Sequence, residues 1–130
     1  MSDLLVRRIR LKNSNQHIGE EYQSIFENAL EGIFQTSLDG RFIKVNSTLA
    51  RIFGYDSPED MMQTVVDTSA QLHVDEGVRE KFVDLLVKQG NVEEYEARNY
   101  RKDGSIIWTR TNARAVRDDK GNIQYFEGFL

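Results

Sequence analysis

The sequence predicts an α+β domain built around a five-stranded antiparallel sheet. Near its start, two extended runs at 32–38 and 42–45 are joined by Asp39-Gly40, which supplies the positive φ angles of a close hairpin turn. Three further extended runs close the chain, and segments with helical spacing lie between the two groups. At 130 residues, 39% of them hydrophobic, the chain is one domain that is long enough to bury a core.

The composition excludes several kinds of chemistry. The chain has no cysteine, which excludes disulfides, thiolate metal sites, iron–sulfur clusters and a cysteine nucleophile. It has no apolar run that could span a bilayer and no signal-peptide pattern, so we expect a cytoplasmic domain without direct membrane contact. Between positions 56 and 96 eleven acidic residues stand against three basic ones, and the net charge is −4, so we expect no nucleic-acid partner.

An amphipathic helix is predicted over residues 19–31. The segment before it, 1–18, is interpreted as a linker or an extension of this helix. Such an apolar stripe must be covered, either by the sheet of the same domain or by the helix of a second copy. The stripe contains Ile18, Tyr22, Ile25, Phe26, Ala29 and Leu30.

A short helix follows the hairpin almost without a loop. Asn46 is placed as its N-cap, because the side-chain oxygen can accept from a free backbone amide, and Gly54 is placed to end it. Since strand and helix are so closely joined, side chains from both can enclose a hollow that holds a small molecule. The residues expected around this hollow are Phe34, Thr36, Ile43, Val45, Leu49 and Phe53.

Two more helices are expected before the last strands. Ser57-Pro58 begins a short one, with serine as the cap and proline in the first position. Residues 64–75 show no regular period and are interpreted as a loop with at most one helical turn. A longer helix begins at Asp75 or Glu76 and ends by Gly90. Its apolar face contains Val78, Phe82, Leu85 and Leu86.

The last three strands are predicted at 92–101, 105–117 and 122–130, and alternation divides their residues between two faces. The first face is mostly small, which leaves room for helices or a ligand; it contains Ala97, Asn99, Ile107, Thr109, Thr111, Ala113, Ala115, Phe126, Gly128 and Leu130. The second is too aromatic to face only water and contains Ile106, Trp108, Val116, Ile123, Tyr125 and Phe129. We expect the N-terminal helix, a partner chain or both to cover it. The predicted homodimer interface consists of Tyr22, Ile25, Phe26, Trp108, Tyr125 and Phe129.

Three separated motifs resemble the PAS family of sensory domains. The run GIFQTSLDGRFIKVN, followed by LARIFGY, is similar to the first two strands and first helix of that family. The run YRKDGS, followed by Trp108, is similar to its third and fourth strands. The resemblance covers residues 20–130. It implies a sheet order of 2-1-5-4-3, with helices on one face and the N-terminal helix on the other.

The same resemblance implies a function. It implies a bacterial-type sensory domain without catalysis of its own, which binds a small ligand or dimerises and signals through a C-terminal helix to an effector in the same chain. The expected effector is a histidine kinase of a two-component system or a diguanylate cyclase, which would make the parent protein an enzyme. Two alternatives stay open: a ligand-free homodimerisation module, and a redox sensor with noncovalent flavin. An independent enzyme is least favoured, because no phosphate-binding glycine loop, HExxH or GxSxG motif is present.

The flavin alternative comes from a second resemblance. The last three strands, with Asn99 and Trp108, are similar to light-oxygen-voltage domains, the flavin-binding branch of the family, in which an asparagine matching Asn99 bonds the flavin. That branch has another asparagine where this chain has Thr109, a glutamine where it has Leu130, and a cysteine-containing segment that is absent here. A covalent flavin adduct therefore cannot form, and no cofactor is required. The predicted binding residues are Phe34, Val45, Asn46, Leu49, Phe53, Asn99 and Thr109.

Each polar candidate also has a structural interpretation. Asn46 is then only a helix cap, Asn99 a buried amide satisfied by backbone, and Trp108 a packing residue of the outer face. His73 is interpreted as a structural residue at a helix entry, with haem or metal ligation as the alternative, and His17 is expected to be exposed. No metal site is predicted, because two separated histidines without cysteine do not make a ligand cluster.

Overall fold

The computed structural model describes residues 19–130, so the predictions for 1–18, including Ile18 and His17, lie outside the described residues. One antiparallel sheet has the strand order β2-β1-β5-β4-β3, which confirms the predicted fold class. In chain order the elements are α1 (19–28), β1 (Ile33–Thr36), β2 (Phe42–Val45), α2 (Ser47–Ile52), α3 (Pro58–Thr64), α4 (Thr68–Gln71), α5 (Val78–Gln89), β3 (Asn91–Tyr100), β4 (Ile106–Arg117) and β5 (Ile123–Phe129). Within this part of the chain no helix is long and apolar enough to cross a membrane.

The predicted hairpin forms between β1 and β2. Its turn is closed by a bond from the Ser37 amide to the Arg41 carbonyl (2.8 Å), with Gly40 at a φ of 89°. Gly40 alone of the predicted pair has a positive φ, so the prediction of this conformation for Asp39 was wrong. A bulge follows, because Thr36 pairs with Phe42 while the neighbouring pair leaves Ile43 without a partner. The bulge directs Phe42 toward the core and leaves Ile43 exposed, so the prediction that Ile43 lines the hollow was wrong.

The core lies between one face of the sheet and α2, α3 and α5. The face predicted to be mostly small is the inner one: Ala97, Asn99, Thr109, Ala113 and Phe126 are all buried. The opposite face carries Trp108, which is 70% exposed, together with exposed Ile106 and Phe129.

One residue of the outer set was assigned wrongly. Ile123 packs against the core cluster and does not face outward. The register shifts between Val116, which pairs with Tyr125, and Arg117, which pairs with Ile123. Simple alternation does not continue across such a shift, and this places Ile123 on the core side.

The helix boundaries follow the predicted caps in two places and depart from them in a third. The side chain of Ser57 accepts from the amide of Asp60 (3.0 Å) at the start of α3, and Gly90 ends α5 at a φ of 83°. The start of α5 was predicted too early. Asp75 forms an ion pair with Arg98 (2.6 Å) and does not cap the helix. The N-cap of α5 is Gly77, which has a left-handed backbone conformation and provides no side-chain hydrogen bond to the helix.

The helix α1 is three residues shorter than predicted, and few side chains of its apolar stripe are buried. Phe26 is 3% exposed, whereas Ile25 is 69% exposed, and Tyr22 and Leu30 are also exposed. The ammonium of Lys44 on β2 stands 4.6 Å from the ring centre of Phe26. The outer face therefore meets α1 mainly at Phe26, and this residue, already covered by its own chain, is not available for the predicted dimer interface.

The two ends of the sheet region meet. Gly32, just before β1, and Leu130, just after β5, exchange two backbone hydrogen bonds of 2.9 and 2.8 Å. The entry to the sheet from α1 is thus held directly against residue 130.

Candidate functional site

A cavity lies between the inner face of the sheet and the helices. Its volume is about 60 Å³, which suits a molecule of a few heavy atoms and is far below the roughly 300–1,000 Å³ of sites for drug-sized ligands. Strands β1, β3 and β4 supply one wall, and α2, α4 and α5 supply much of the other. Five of the seven predicted binding residues line it, namely Phe34, Leu49, Phe53, Asn99 and Thr109.

The other two predicted lining residues are buried elsewhere. Val45 packs into the apolar core, where β2 meets α3. Asn46 is 0% exposed, and its carboxamide is fully occupied. Its Oδ1 accepts from the amides of Leu49 (2.9 Å) and Ile33 (3.0 Å), and its Nδ2 donates to two further carbonyls. Asn46 is therefore the N-cap of α2, as predicted, but it has no free group for a ligand.

Those two carbonyls place Asn46 at a junction. Nδ2 donates to the carbonyl of Phe26 (2.9 Å) in α1 and to that of Glu31 (3.0 Å). One side chain thus joins the end of α1, the start of β1 and the start of α2, all without solvent. This position fixes the angle at which α1 leaves the sheet.

Asn99 and Thr109 lie on adjacent strands in the cavity wall and bond to each other. The hydroxyl of Thr109 donates to Asn99 Oδ1, while Asn99 Nδ2 donates to the carbonyl of Leu72 (3.3 Å) and lies 3.4 Å from Nδ1 of His73. The structural interpretation of Asn99, a buried amide with partners inside the chain, accounts for these contacts. A ligand contact by Asn99 stays a prediction, since the ligand would have to share its amide.

Sequence reasoning missed the charged residue of the cavity. Arg79 on α5 is 8% exposed, donates from Nη2 to the carbonyl of Ser37 (3.2 Å) and stands 5.8 Å from the ring centre of Phe126. Burial lowers the pKa of this guanidinium. A signal was present: Arg79, Phe82 and Leu86 share helical spacing, so a charge occupies the buried face of α5.

His73 is the titratable residue with the clearest expected effect on stability. Burial lowers its pKa from 6.5 to about 4, helped by the positive charge of Arg79 and opposed by Glu80. An unfolded histidine takes up a proton below pH 6.5 whereas folded His73 stays neutral, so stability falls as the pH drops from 6.5 toward 4. We expect the free energy of unfolding to fall by about 2 kcal/mol between pH 7 and pH 5 from His73 alone.

Urea unfolding at these two pH values, with His73→Gln as the comparison, measures this. His17 is present in both proteins and cancels. The carboxyls of Asp60, Asp75 and Asp103, whose pKa values are lowered by hydrogen bonds from Lys102, Arg98 and Ser105, act mainly below this window. Equal pH dependence in the two proteins would show that His73 titrates normally when folded.

The residues present do not fit a flavin in this cavity. The volume is too small for its three fused rings, and the amides of Asn46 and Asn99 are already paired. Residues 19–130 also contain no group of three or more His, Asp or Glu that could hold a metal ion. The geometry therefore favours a smaller guest.

The fold has close structural relatives. The PAS domain of a protein from Colwellia psychrerythraea superposes with a TM-score of 0.74 at 23% identity, over 86% of this chain and 93% of that one. A domain of a sensory box sensor histidine kinase/response regulator from Geobacter sulfurreducens gives 0.65 at 19% identity, over 85% and 91%. At these identities the likeness shows the fold. No curated protein matches the sequence significantly.

Light-oxygen-voltage proteins also share the fold. An RNA-binding light-oxygen-voltage receptor superposes with a TM-score of 0.66 at 18% identity, over 86% of this chain and 32% of that one. At 18% identity this likeness, too, shows the fold alone.

Sequence and architecture agree on the family. A sequence profile described as PAS domain matches residues 30–130, from just before β1 to residue 130. The five-stranded antiparallel sheet with its strand order, and the helices packed on it, match the PAS fold of the solved relatives. The chain therefore belongs to the PAS domain family.

Proposed function

We propose that this domain is a sensor: a small molecule bound in the cavity changes the packing of helices on the sheet, and the change passes to an effector in the same chain. The observation that carries this proposal is a cavity with an apolar wall and several polar groups, among them the buried Arg79 and the half-buried His73. Apolar walls with a few placed polar groups are typical of small-molecule sites. The effector we favour is a histidine kinase, with a diguanylate cyclase as the alternative.

The architecture supports a route for the signal. Phe34 lines the cavity from β1, which pairs with β5 along its length, and Gly32 bonds directly to Leu130. A ligand that moves β1 therefore acts on residue 130 and on α1, which Asn46 ties to the same strand. The ligand needs only a different affinity for two arrangements of these elements.

Native mass spectrometry of the purified chain, with an absorbance spectrum, tests the proposal. A bound molecule of low mass without visible absorbance is the expected result. Visible absorbance would favour the flavin redox sensor instead. A protein with no bound molecule that also binds nothing in a metabolite screen would contradict the sensor proposal.

A second function, homodimerisation through the outer face, is favoured by a different observation. Ile106, Trp108 and Phe129 are large apolar side chains exposed on one face of the sheet, and Tyr22 and Ile25 on α1 are exposed as well. Tyr125 is half-buried on the same face. An exposed apolar patch of this kind is typical of a protein interface.

We expect Trp108→Glu to weaken dimerisation by at least about tenfold, because an aromatic side chain that the proposed dimer would bury is replaced by a charge that needs water. Sedimentation equilibrium over a concentration series measures it. Leu38→Glu is the matched control, because Leu38 is also a large exposed apolar residue but lies in the β1–β2 turn. Equal association of both variants and the unmodified chain would exclude the outer face as the interface.

A further inference from the structure

The cavity contains two hydroxyl groups that the fold leaves without partners. Thr36 Oγ1 on β1 and Thr68 Oγ1 at the start of α4 are buried, and neither bonds to any atom of residues 19–130. Both residues line the cavity. A buried hydroxyl without a hydrogen-bond partner lowers the stability of the fold, and valine would fill the same space without that cost. These hydroxyls are therefore placed to bond something that enters the cavity.

The same cavity contains a cation that the fold does not neutralise. Arg79 has five N–H donors, of which the structure uses one toward the carbonyl of Ser37. Within residues 19–130 it forms no ion pair. Asp39, Asp67 and Glu80 act on it only through longer-range attraction. A buried guanidinium usually has a carboxylate or a bound anion as its partner, and the described residues provide none for Arg79.

The cation and one hydroxyl share a corner of the cavity. A methyl group placed on Gly40 would stand 3.0 Å from Thr68 Oγ1 and 3.8 Å from Arg79 Nε. A hydroxyl donor beside a guanidinium is a pair that suits a carboxylate, which accepts several hydrogen bonds through its two oxygens. The side chains of Leu49, Phe53 and Phe82 line the same cavity, and this apolar part of its wall suits an alkyl group.

We propose that the cavity binds a short-chain monocarboxylate, with its carboxylate on Arg79 and Thr68 and its alkyl end against the apolar wall. Thr36, on the facing strand, supplies a further hydroxyl to the bound molecule. This proposal rests on the proposed sensor function and names the chemical class of its ligand. The volume of about 60 Å³ limits the chain to a few carbon atoms. Inorganic phosphate shares the charge but leaves the apolar wall without a partner.

The test is an NMR titration of the full 130-residue chain, uniformly labelled with ¹⁵N, at constant ionic strength. Three probes are compared: sodium propanoate, propanamide, which has the same shape without the charge, and sodium phosphate. We expect saturable shifts of the Thr36, Thr68 and Leu72 amides with propanoate. Binding of the other two probes should be weaker by at least about tenfold, because each lacks one of the two matched features.

Two variants make the assignment specific. Arg79→Met keeps the length of the side chain and should weaken propanoate binding by about thirtyfold or more. Because Arg79 also bonds Ser37, Thr68→Val is the second variant and keeps the shape of the wall. We expect Thr68→Val to raise the midpoint of urea unfolding and to weaken propanoate binding by about fivefold to tenfold. A purely structural hydroxyl would lower the midpoint and leave binding unchanged.

The outcomes separate this proposal from the sensor function. Propanamide binding as tightly as propanoate, or undiminished propanoate binding by Thr68→Val, would overturn the carboxylate assignment while a ligand-binding cavity stands. No saturable shift with any probe would also overturn it, and the native mass spectrum of the purified chain then decides the sensor function separately.

Discussion

Asn46→Ala is expected to lower the free energy of unfolding by about 4 kcal/mol, a large part of the stability of a domain of this size. The substitution removes four hydrogen bonds at once. It leaves the amides of Ile33 and Leu49, and the carbonyls of Phe26 and Glu31, without the partner that the fold gives them. Each such buried group costs about 1–3 kcal/mol, and water entering the space left behind recovers part of the sum.

Urea unfolding followed by circular dichroism measures this effect. Asn122→Ala is the matched control, because Asn122 is exposed in the β4–β5 turn and its hydrogen bonds there are made by its backbone groups, which the substitution keeps. We expect the control to change stability by less than about 0.5 kcal/mol. If both variants lost the same small amount, the junction of α1, β1 and α2 would not depend on this side chain.

Gly128→Ala is expected to destabilise the domain by about 3 kcal/mol or more, because there is no room for its methyl group. Gly128 lies on β5 between Phe34 of β1 and Ala113 of β4. An added Cβ would stand 2.2 Å from the carbonyl oxygen of Asn112 and 2.9 Å from the Cα of Ala113. Both are backbone atoms of β4, so the strands must separate and lose ladder bonds at the centre of the sheet.

The control for this variant is Gly121→Ala. Gly121 has a φ of 84° in the β4–β5 turn, and its added methyl group would meet nothing within 4 Å. It therefore reports the cost of the left-handed backbone alone, about 1 kcal/mol. Thermal unfolding of both variants compares the two effects, and equal losses would show that β4 yields to the methyl group without leaving the sheet.

Local features of this fold could be predicted from the sequence because they depend on neighbouring residues. The turn at Asp39-Gly40, the cap by Asn46 and the cap by Ser57 each need only a few adjacent residues, and all three form. Most of the cavity wall followed as well, since alternation along β3 and β4 places Asn99 and Thr109 inward.

Features that depend on distant pairing could not be predicted in this way. The bulge that exposes Ile43 and the register shift that turns Ile123 inward arise where one strand meets another, and alternation within a strand does not reveal them. Arg79 was missed for a related reason. Its spacing places it on the apolar face of α5, but a charged side chain at such a position commonly extends to water, and only the packed fold shows that this one does not.

The hydrogen bonds that join Gly32 to Leu130 determine how the domain responds to mechanical tension. Because β1 and β5 are antiparallel and their ends meet there, a force that separates residues 32 and 130 acts on the hydrogen-bonded pairs of the two strands one after another. A force along the strands would instead act on all of these hydrogen-bonded pairs at the same time. Small forces at this corner are therefore enough to open it, while the rest of the sheet stays closed.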